Sequence, residues 1–268
     1  MNLEITSAKN PRIKSAAELR ERKERDTSGL FLIDGDREIR RAIDAGIEVL
    51  EVFECEVSLE LPSELGIRRY TVSPSAFSKL GYGERRHGVV AVARQFSLTL
   101  EKLNSRNVRL VCVYAGVEKP GNVGALLRTA DAAGIDGVIL ADAATDVFNP
   151  NVVRASAGAL FSTPLASATT SETLAWLTEH QFKIFTARVD GAADYRKVDW
   201  SGRCAVILGS EAEGLDASWS GPEITPICLP MRGKVDSLNV SVTSGILLYE
   251  MTRSEPIGGK SDTTGPAR

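Results

Sequence analysis

Hydrophobic residues in the first hundred positions recur with two periods, one typical of helices and one typical of strands. The helical period covers three segments, namely 11–25, 37–46 and a short one after Pro74. Strand-like apolar runs lie between them, namely 30–34, 47–54, 67–72 and 88–94. Gly29 and Gly46 follow the two longer helices, where glycine commonly ends a helix. The pattern predicts a small α/β domain over residues 1–96.

Residues 97–107 are polar and lose this alternation, which is typical of a linker between domains. Beyond them, strand-like runs alternate with helical ones, and the order predicts a second α/β domain over 108–252 with a mostly parallel sheet. The predicted strands are 109–117, 137–141, 182–189, 204–210 and 224–230. The last three are apolar enough to be buried on both faces. A final helix is predicted over roughly 238–252, and the Gly-, Pro- and Ser-rich residues 253–268 predict a disordered tail.

Composition narrows the class of protein. The chain has 268 residues, of which 43% are hydrophobic, so disorder of the whole chain is excluded. No apolar run approaches the length of a membrane span, and the first residues lack the apolar stretch of a signal peptide. We therefore expect a cytoplasmic protein without membrane contact.

The cysteines are far apart and show no Cys-x-x-Cys spacing, and the chain has two histidines. The four cysteines are Cys55, Cys112, Cys204 and Cys228. Most lie in apolar, strand-like runs, so we expect reduced, buried thiols and no metal site.

The net charge of −3 argues against a general polyanion binder. The positive charges are nevertheless clustered along the chain. The clusters contain six candidate RNA-binding residues, namely Arg12, Lys14, Arg22, Lys23, Arg85 and Arg86. Acidic residues at helical spacing accompany the first cluster, and for that cluster the spacing favours a solvated helix face. The sequence leaves both interpretations open.

Three loops after predicted strands carry candidate chemistry, because open α/β sheets keep ligand sites at the carboxyl ends of their strands. In the first loop, Gly121 and Gly124 permit a tight turn, Asn122 stands where a helix cap belongs, and Arg128 follows within the helix. An ordinary capped helix with a surface arginine is the alternative.

The second loop, LGSEAEGL at 208–215, takes a buried strand directly into a cluster that contains Gly209 and Glu211. A plain strand-to-helix turn is the alternative there. In the third segment, residues 240–244 are mediocre helix formers ahead of an apolar helical run, and such local conflict is typical of functional sites. Ser237 as a helix cap with Asn239 in the first turn is the alternative for that segment.

Taken in order, these segments resemble the SpoU/TrmH family of RNA 2′-O-methyltransferases. NVGALLRTADAAG at 122–134, LGSEAEGL and LPMRGKVDSLNVSV at 229–242 resemble its three motifs, and VRASAGALFSTPL at 153–165 resembles the stretch between the first two. Lys119 departs from the family, many members of which have an acidic residue there. The first hundred residues resemble, less specifically, the family's RNA-binding extension, which is related to ribosomal protein L30e.

The resemblance implies a trefoil-knotted (SPOUT) α/β catalytic domain that works as a homodimer on structured RNA. Periodicity alone would instead favour an unknotted sheet. The implied cofactor is S-adenosylmethionine, held by six residues, namely Leu208, Gly209, Leu229, Met231, Ser237 and Leu238. The implied catalytic set is Arg128, Asn122, Glu211, Ser237 and Asn239. A dinucleotide-binding enzyme is disfavoured, because the first turn lacks Gly-x-Gly-x-x-Gly.

The family assigns activation of the ribose hydroxyl to Arg128, but a guanidinium is almost never deprotonated in proteins. We expect Arg128 to hold the adjacent phosphate and stabilise the developing alkoxide. Ribosomal RNA is the preferred substrate, since the extension resembles that of ribosomal members. Transfer RNA, a catalytically silent RNA-binding module and a small-molecule enzyme are the alternatives. The sequence identifies neither the nucleotide nor a role in ribosome maturation or antibiotic resistance.

Overall fold

The computed structural model describes residues 3–81, 88–104, 107–190, 193–210 and 213–253. Within those ranges the chain forms two sheets, one mixed and one parallel, each packed against helices. None of the described helices is long and apolar enough to span a bilayer. The two sheets correspond to the two α/β regions that the hydrophobic pattern predicts.

The first sheet has five strands in the order β1-β4-β3-β5-β2, with β5 antiparallel to both of its neighbours. Its strands are β1 (Leu3–Ile5), β2 (Leu30–Asp34), β3 (Val49–Cys55), β4 (Arg68–Val72) and β5 (Gly88–Arg94). Its helices are α1 (Pro11–Glu18), α2 (Arg22–Ser28), α3 (Asp36–Asp44) and α4 (Pro74–Phe77), and a 3₁₀ turn spans Ser63–Leu65. Strand β1 has three residues and no period to reveal it in the sequence.

The helix predicted over 11–25 is wrong as a single helix, because the chain breaks between α1 and α2. Arg25 accounts for the break: its Nη1 donates to the carbonyl oxygens of Leu19 and Arg20 at 2.9 and 2.7 Å. Carbonyls at a helix end need such partners, and this buried guanidinium supplies them. Gly29 ends α2 as predicted, with φ of +66°, a conformation that favours glycine.

The second sheet has seven strands in the order β10-β12-β9-β11-β6-β7-β8, and every pairing is parallel. Its strands are β6 (Leu110–Ala115), β7 (Gly137–Ala141), β8 (Leu165–Ala168), β9 (Lys183–Ala187), β10 (Ala193–Asp194), β11 (Cys204–Leu208) and β12 (Ile224–Cys228). The helices around it are α5 (Glu101–Asn104), α6 (Pro120–Ala133), α7 (Pro150–Ala155), α8 (Ala159–Ser162), α9 (Thr170–Glu179) and α10 (Val240–Met251), and a 3₁₀ turn spans Ala217–Trp219.

Burial of the parallel strands follows their place in the sheet. Strand β11, between β9 and β6, is buried along its whole length, as predicted. The same prediction is wrong for β12, in which Thr225 and Pro226 are exposed. Strand β12 lies one place from the sheet edge beside the two-residue β10, so little of the chain covers it.

One hydrophobic core joins the two sheets. Phe31 of β2 lies 5.0 Å from Phe148 between ring centroids, and Phe96 packs edge-on against Phe148. Residues of the predicted linker also contact the second sheet, since Leu103 is buried and the carbonyl of Leu98 accepts from Ser167 N at 2.7 Å. The orientation of the two sheets is therefore fixed by packing.

A buried ion pair crosses the same interface. Arg25 and Asp146 side chains are 1% and 11% exposed, and their closest atoms are 2.6 Å apart. Asp146 Oδ1 also accepts from the Phe148 amide at 2.8 Å. Because the two opposite charges are buried against each other, removal of one should be strongly destabilising.

We expect Asp146→Asn to lower the free energy of unfolding by about 3–5 kcal/mol, since the amide keeps the shape and leaves the Arg25 charge without a counter-ion. Denaturant unfolding measures this value. Asp36→Asn, which removes the exposed partner of Arg40, is the control and should cost less than about 1 kcal/mol. Equal losses in the two variants would contradict the importance of the buried pair.

The four cysteines, all among the described residues, do not form disulfides. Cys55, Cys112 and Cys204 are buried, as predicted, and burial raises the pKa of Cys112 to about 12 and that of Cys204 to about 11. Cys228 is half-buried, so the prediction is wrong for that one residue, which lies where β12 ends.

Candidate active site

A cavity of about 1040 Å³ lies at the carboxyl edge of the parallel sheet. The chain segments that follow β9, β11 and β12 form its walls, together with the start of α10. All these strands run in one direction, so their carboxyl ends meet at one edge. The position agrees with the expectation for the second and third loops, whereas Lys119 alone of the first loop lines the cavity.

The loop after β11 closes on itself through glycine. The Ser210 amide donates to the Gly214 carbonyl at 3.2 Å, and the Gly214 amide donates back to Ser210 at 3.1 Å. A Cβ on Gly209 would lie 2.3 Å from the carbonyl carbon of Gly214, so no larger residue fits there. The glycines bring backbone directly against the cavity. Glu211, a predicted catalytic residue in this loop, lies outside the described residues.

Arg188, the residue that follows β9, stabilises the far side of that loop by hydrogen bonds. Its guanidinium donates to the Leu215, Asp216 and Trp219 carbonyls and to Ser220 Oγ, at 3.3, 3.2, 3.4 and 2.8 Å. The partners are 27 to 32 residues away in sequence, so no local pattern could have identified this residue.

Asp216 continues the loop into the 3₁₀ turn Ala217–Trp219. Its carboxylate accepts from the Ser218 hydroxyl and, at 2.8 Å, from the Ser218 amide. The Ser218 hydroxyl, followed by its amide, lowers the pKa of Asp216. The carboxylate is therefore charged near neutral pH and caps the 3₁₀ turn. This cap, together with the hydrogen bonds of Arg188, stabilises the segment.

The third segment leads from β12 to α10. Asn239 caps the helix, with Oδ1 accepting from the Ser241 amide at 2.9 Å and from its hydroxyl. Helix α10 begins at Val240, so the alternative that makes Ser237 the cap is wrong. The capping geometry resolves the local conflict, because a strong cap compensates for mediocre helix formers.

Most of the predicted site residues come together here. Seven described ones line the cavity, namely Leu208, Gly209, Leu229, Met231, Ser237, Leu238 and Asn239. Leu208 is buried in the sheet, whereas Met231 and Leu238 are each 37% exposed. The cavity is also lined by Lys119, Arg188 and Thr243, which the sequence-based prediction missed.

Arg128 and Asn122 do not line this cavity. Asn122 lies in the first turn of α6, and Lys119 occupies the cap position. The prediction of Asn122 as the cap is therefore wrong. The helix begins earlier because the fixed φ of Pro120 suits the first helical position. Arg128 is exposed and opens onto a separate cleft of about 540 Å³. A single chain thus divides the predicted catalytic set between two places.

The predicted RNA-binding residues have mixed surroundings. Arg12 donates to Glu51 at 2.8 Å and lies over the Tyr70 ring, and Arg22 donates to the Ala144 carbonyl at 3.0 Å. Lys14 and Lys23 are exposed. Arg85 and Arg86 lie outside the described residues. Among the residues that are described, no three His, Cys, Asp or Glu side chains converge as a metal site.

Two family models match the chain. The SpoU rRNA Methylase family matches residues 78–249, and the MRM3-like substrate binding domain matches residues 10–91. Together the two matches span residues 10–249, which contain every described strand except β1.

Individual proteins match over nearly the whole length. The 23S rRNA (guanosine(2553)-2′-O)-methyltransferase RlmP of Bacillus subtilis is 32% identical over 92% of this chain and 98% of its own. A solved RNA 2′-O ribose methyltransferase is 40% identical with a TM-score of 0.80, covering 94% of this chain and 98% of its own. An AdoMet-bound rRNA methyltransferase from Sinorhizobium meliloti is 28% identical with a TM-score of 0.84, covering 93% and 97%.

Proposed function

Because this chain belongs to the SpoU rRNA methylase family, we propose that its cavity binds S-adenosylmethionine and that it methylates a ribose 2′-hydroxyl of ribosomal RNA. The observation that carries the proposal is the cavity itself, lined by the loops that the sequence matches to the family's second and third motifs. A silent RNA-binding module is disfavoured, since the relatives are named as methyltransferases. Transfer RNA is less favoured, because the full-length relatives are named for ribosomal RNA. Such a substrate implies a cytoplasmic enzyme.

The cavity fits the cofactor. Its volume is sufficient for a nucleoside with an amino-acid arm, and pockets of this size are typical of cofactor sites. Met231 and Leu238 expose apolar surface that a purine ring would cover. Gly209 has no side chain to cover the neighbouring backbone. The amides and carbonyls of that backbone are therefore accessible to the polar edge of the base.

The chain's own residues would position the reactants. When bound, the cofactor supplies a methyl group already activated by its sulfonium. Ser237 and Asn239, at the start of α10, would orient the ribose by hydrogen bonds, and fixed geometry lowers the entropic barrier. Arg128 would hold the adjacent phosphate and stabilise the alkoxide, while the proton leaves to that phosphate or to water.

We infer a homodimer in which Arg128 of a second copy reaches the cavity. In its own chain Arg128 lies over another cleft, so one chain does not complete the proposed set. Helix α10 buries one face and leaves Val242 and Tyr249 52% and 57% exposed on the other. Leu247 and Leu248 of the same helix are fully buried in the core of their own chain, so the proposed contact uses the exposed face. We also propose that the loops after β11 and β12 form the family's knot, since α10 returns from β12 to pack on β11 and α6.

Transfer to RNA is tested with the full-length protein, S-adenosylmethionine labelled in its methyl group, and unmodified 23S ribosomal RNA made by transcription. We expect label in the ribosomal RNA as a 2′-O-methylnucleotide, and much less in transfer RNA. Label in a base, or cofactor binding without any transfer, would contradict the proposed function. Mapping of the labelled nucleotide would identify the target position.

Arg188→Ala should weaken S-adenosylmethionine binding by about tenfold, because it frees the loop that carries Gly209 while touching no catalytic residue. Calorimetric titration measures the dissociation constant. The matched control is Arg196→Ala, an exposed arginine paired with Asp194 at the sheet edge, which should bind as the unmodified protein does. Equal affinities of the two variants would show that Arg188 does not position the loop.

A further inference from the structure

The cleft beside Arg128 has its own chemistry. It is lined by three guanidinium groups, those of Arg37, Arg128 and Arg154, with Gly121, Asn151 and Ala157 among the remaining residues. Arg37 belongs to α3 of the first sheet, whereas the other two belong to α6 and α7 of the second. The cleft therefore lies between the two units. We call it the arginine cleft.

The described lining of the arginine cleft carries positive charge. None of the described residues that line the arginine cleft is acidic. Nε and Nη2 of Arg37 lie 3.1 and 2.6 Å from Glu38 Oε1, which occupies one edge of the guanidinium, and the side chain is still 62% exposed. Within the described part of the chain, the Arg128 side chain forms neither a hydrogen bond nor an ion pair. Clustered cations in a concave site concentrate positive potential and favour an anion.

The cleft is held open by the packing of the two units. Arg41, one turn after Arg37 on the same face of α3, donates to the Ala157 carbonyl at 2.9 Å. A Cβ on Gly158 would lie 2.4 Å from Arg41 Cδ, so the side chain passes directly over that glycine. Together with the buried Arg25–Asp146 pair, these contacts fix α3 against α7 and α8. The helix that carries Arg37 is therefore held in place against the second unit.

We propose that the arginine cleft binds a phosphodiester group of the RNA substrate, with Arg37 as the contact from the amino-terminal unit. Guanidinium groups bind phosphate oxygens bidentately, which a cluster of lysines would not do. The inference rests on the proposed function in taking RNA as the substrate. S-adenosylmethionine is not the ligand of this cleft, because no residue lines both it and the cofactor cavity.

The cleft also lies beside the cofactor cavity. Lys119 lines the cavity, and the next residues, Pro120 and Gly121, line the arginine cleft. The first turn of α6 thus separates the two sites. An RNA strand held in the cleft by phosphate would lie beside Arg128 and hence near the reacting centre to which this residue contributes in the proposed dimer, and the backbone contact would set its register without reading sequence.

The test compares Arg37→Ala with Arg40→Ala in the full-length protein. Arg40 lies on the same exposed helix but bonds Asp36 and the Glu60 carbonyl, away from the cleft, and serves as the control. With transcribed 23S ribosomal RNA, Arg37→Ala should raise the dissociation constant about tenfold, as expected for one charge-assisted contact. It should also reduce the slope of log affinity against log salt by about 1. The dissociation constant for S-adenosylmethionine should not change.

Arg37→Lys separates a phosphate contact from a structural role. Lysine keeps the charge, so the salt slope should stay near that of the unmodified protein while part of the affinity is lost with the bidentate geometry. If Arg37→Ala binds RNA as Arg40→Ala does, the cleft proposal is wrong although methylation persists. The proposal would also be overturned if Arg37→Ala lost tenfold in RNA affinity with an unchanged salt slope and Arg37→Lys lost the same affinity. If the unmodified protein methylates no ribosomal RNA yet Arg37→Ala still lowers RNA affinity and salt slope, the proposed function fails and the cleft stands.

Discussion

Arg128→Ala should lower the single-turnover rate of methyl transfer by about a thousandfold, the scale known for losing one donor that stabilises developing negative charge. Affinity for S-adenosylmethionine should be nearly unchanged, because Arg128 does not line the cofactor cavity of its own chain. Folding should also be unaffected, since the side chain is exposed and makes no hydrogen bond or ion pair with the described residues. Rapid mixing of enzyme, cofactor and excess RNA measures the rate.

Arg128→Lys decides between two roles for the charge. If the guanidinium must hold phosphate and alkoxide at once, lysine should restore little of the rate, because it lacks the planar fork. A purely Coulombic role would predict substantial recovery. Near-normal turnover in Arg128→Ala would remove the residue from the catalytic set. A loss confined to cofactor affinity would make it a binding residue instead.

A mixed dimer of one Arg128→Ala chain and one Asn239→Ala chain should recover about half of the normal activity per dimer, although each variant alone is inactive. If the site combines Arg128 of one copy with Asn239 of the other, one of the two sites in a mixed dimer carries both substitutions and the other carries neither. The chains are co-expressed with different tags and purified by both. The rate is then measured as for the single variants.

The outcome separates two arrangements of the dimer. If each site used Arg128 and Asn239 of the same chain, every site in the mixed dimer would carry one substitution and no activity would return. That result, or a monomeric mass in light scattering at micromolar concentration, would contradict the proposed assembly. Doubly tagged dimers of unmodified chains provide the reference rate.

The strands of the parallel sheet were the easiest elements to predict. β6, β7 and β11 are buried along their whole lengths, and such strands leave continuous apolar runs in a sequence. β8 and β10, of four and two residues, were missed because so few positions show no period. The break between α1 and α2 was missed for another reason. It frees the carbonyls of Leu19 and Arg20, which accept from the Arg25 side chain, and the helical period places Arg25 on the same helix.

The cofactor residues could be proposed because the motifs that contain them are contiguous in sequence. Arg188 and Arg37 could not be proposed in the same way. Arg188 acts on carbonyls 27 to 31 residues away, and Arg37 meets Arg128 in a cleft formed by helices of different units. Neither stands in a local pattern that differs from that of an ordinary surface arginine.

The sequence by itself determined the buried strands β6, β7 and β11, the helices α6 and α10, and the two loops after β11 and β12 that line the cavity. These properties depend on periodicity and on residues close together in the chain. Only the tertiary structure decided that Arg25 is buried against Asp146, 121 residues away, and that Arg128 faces Arg37 instead of the cofactor cavity. The energy of a charged side chain depends on which groups pack around it, and that packing is settled by contacts between distant segments, which no local pattern records.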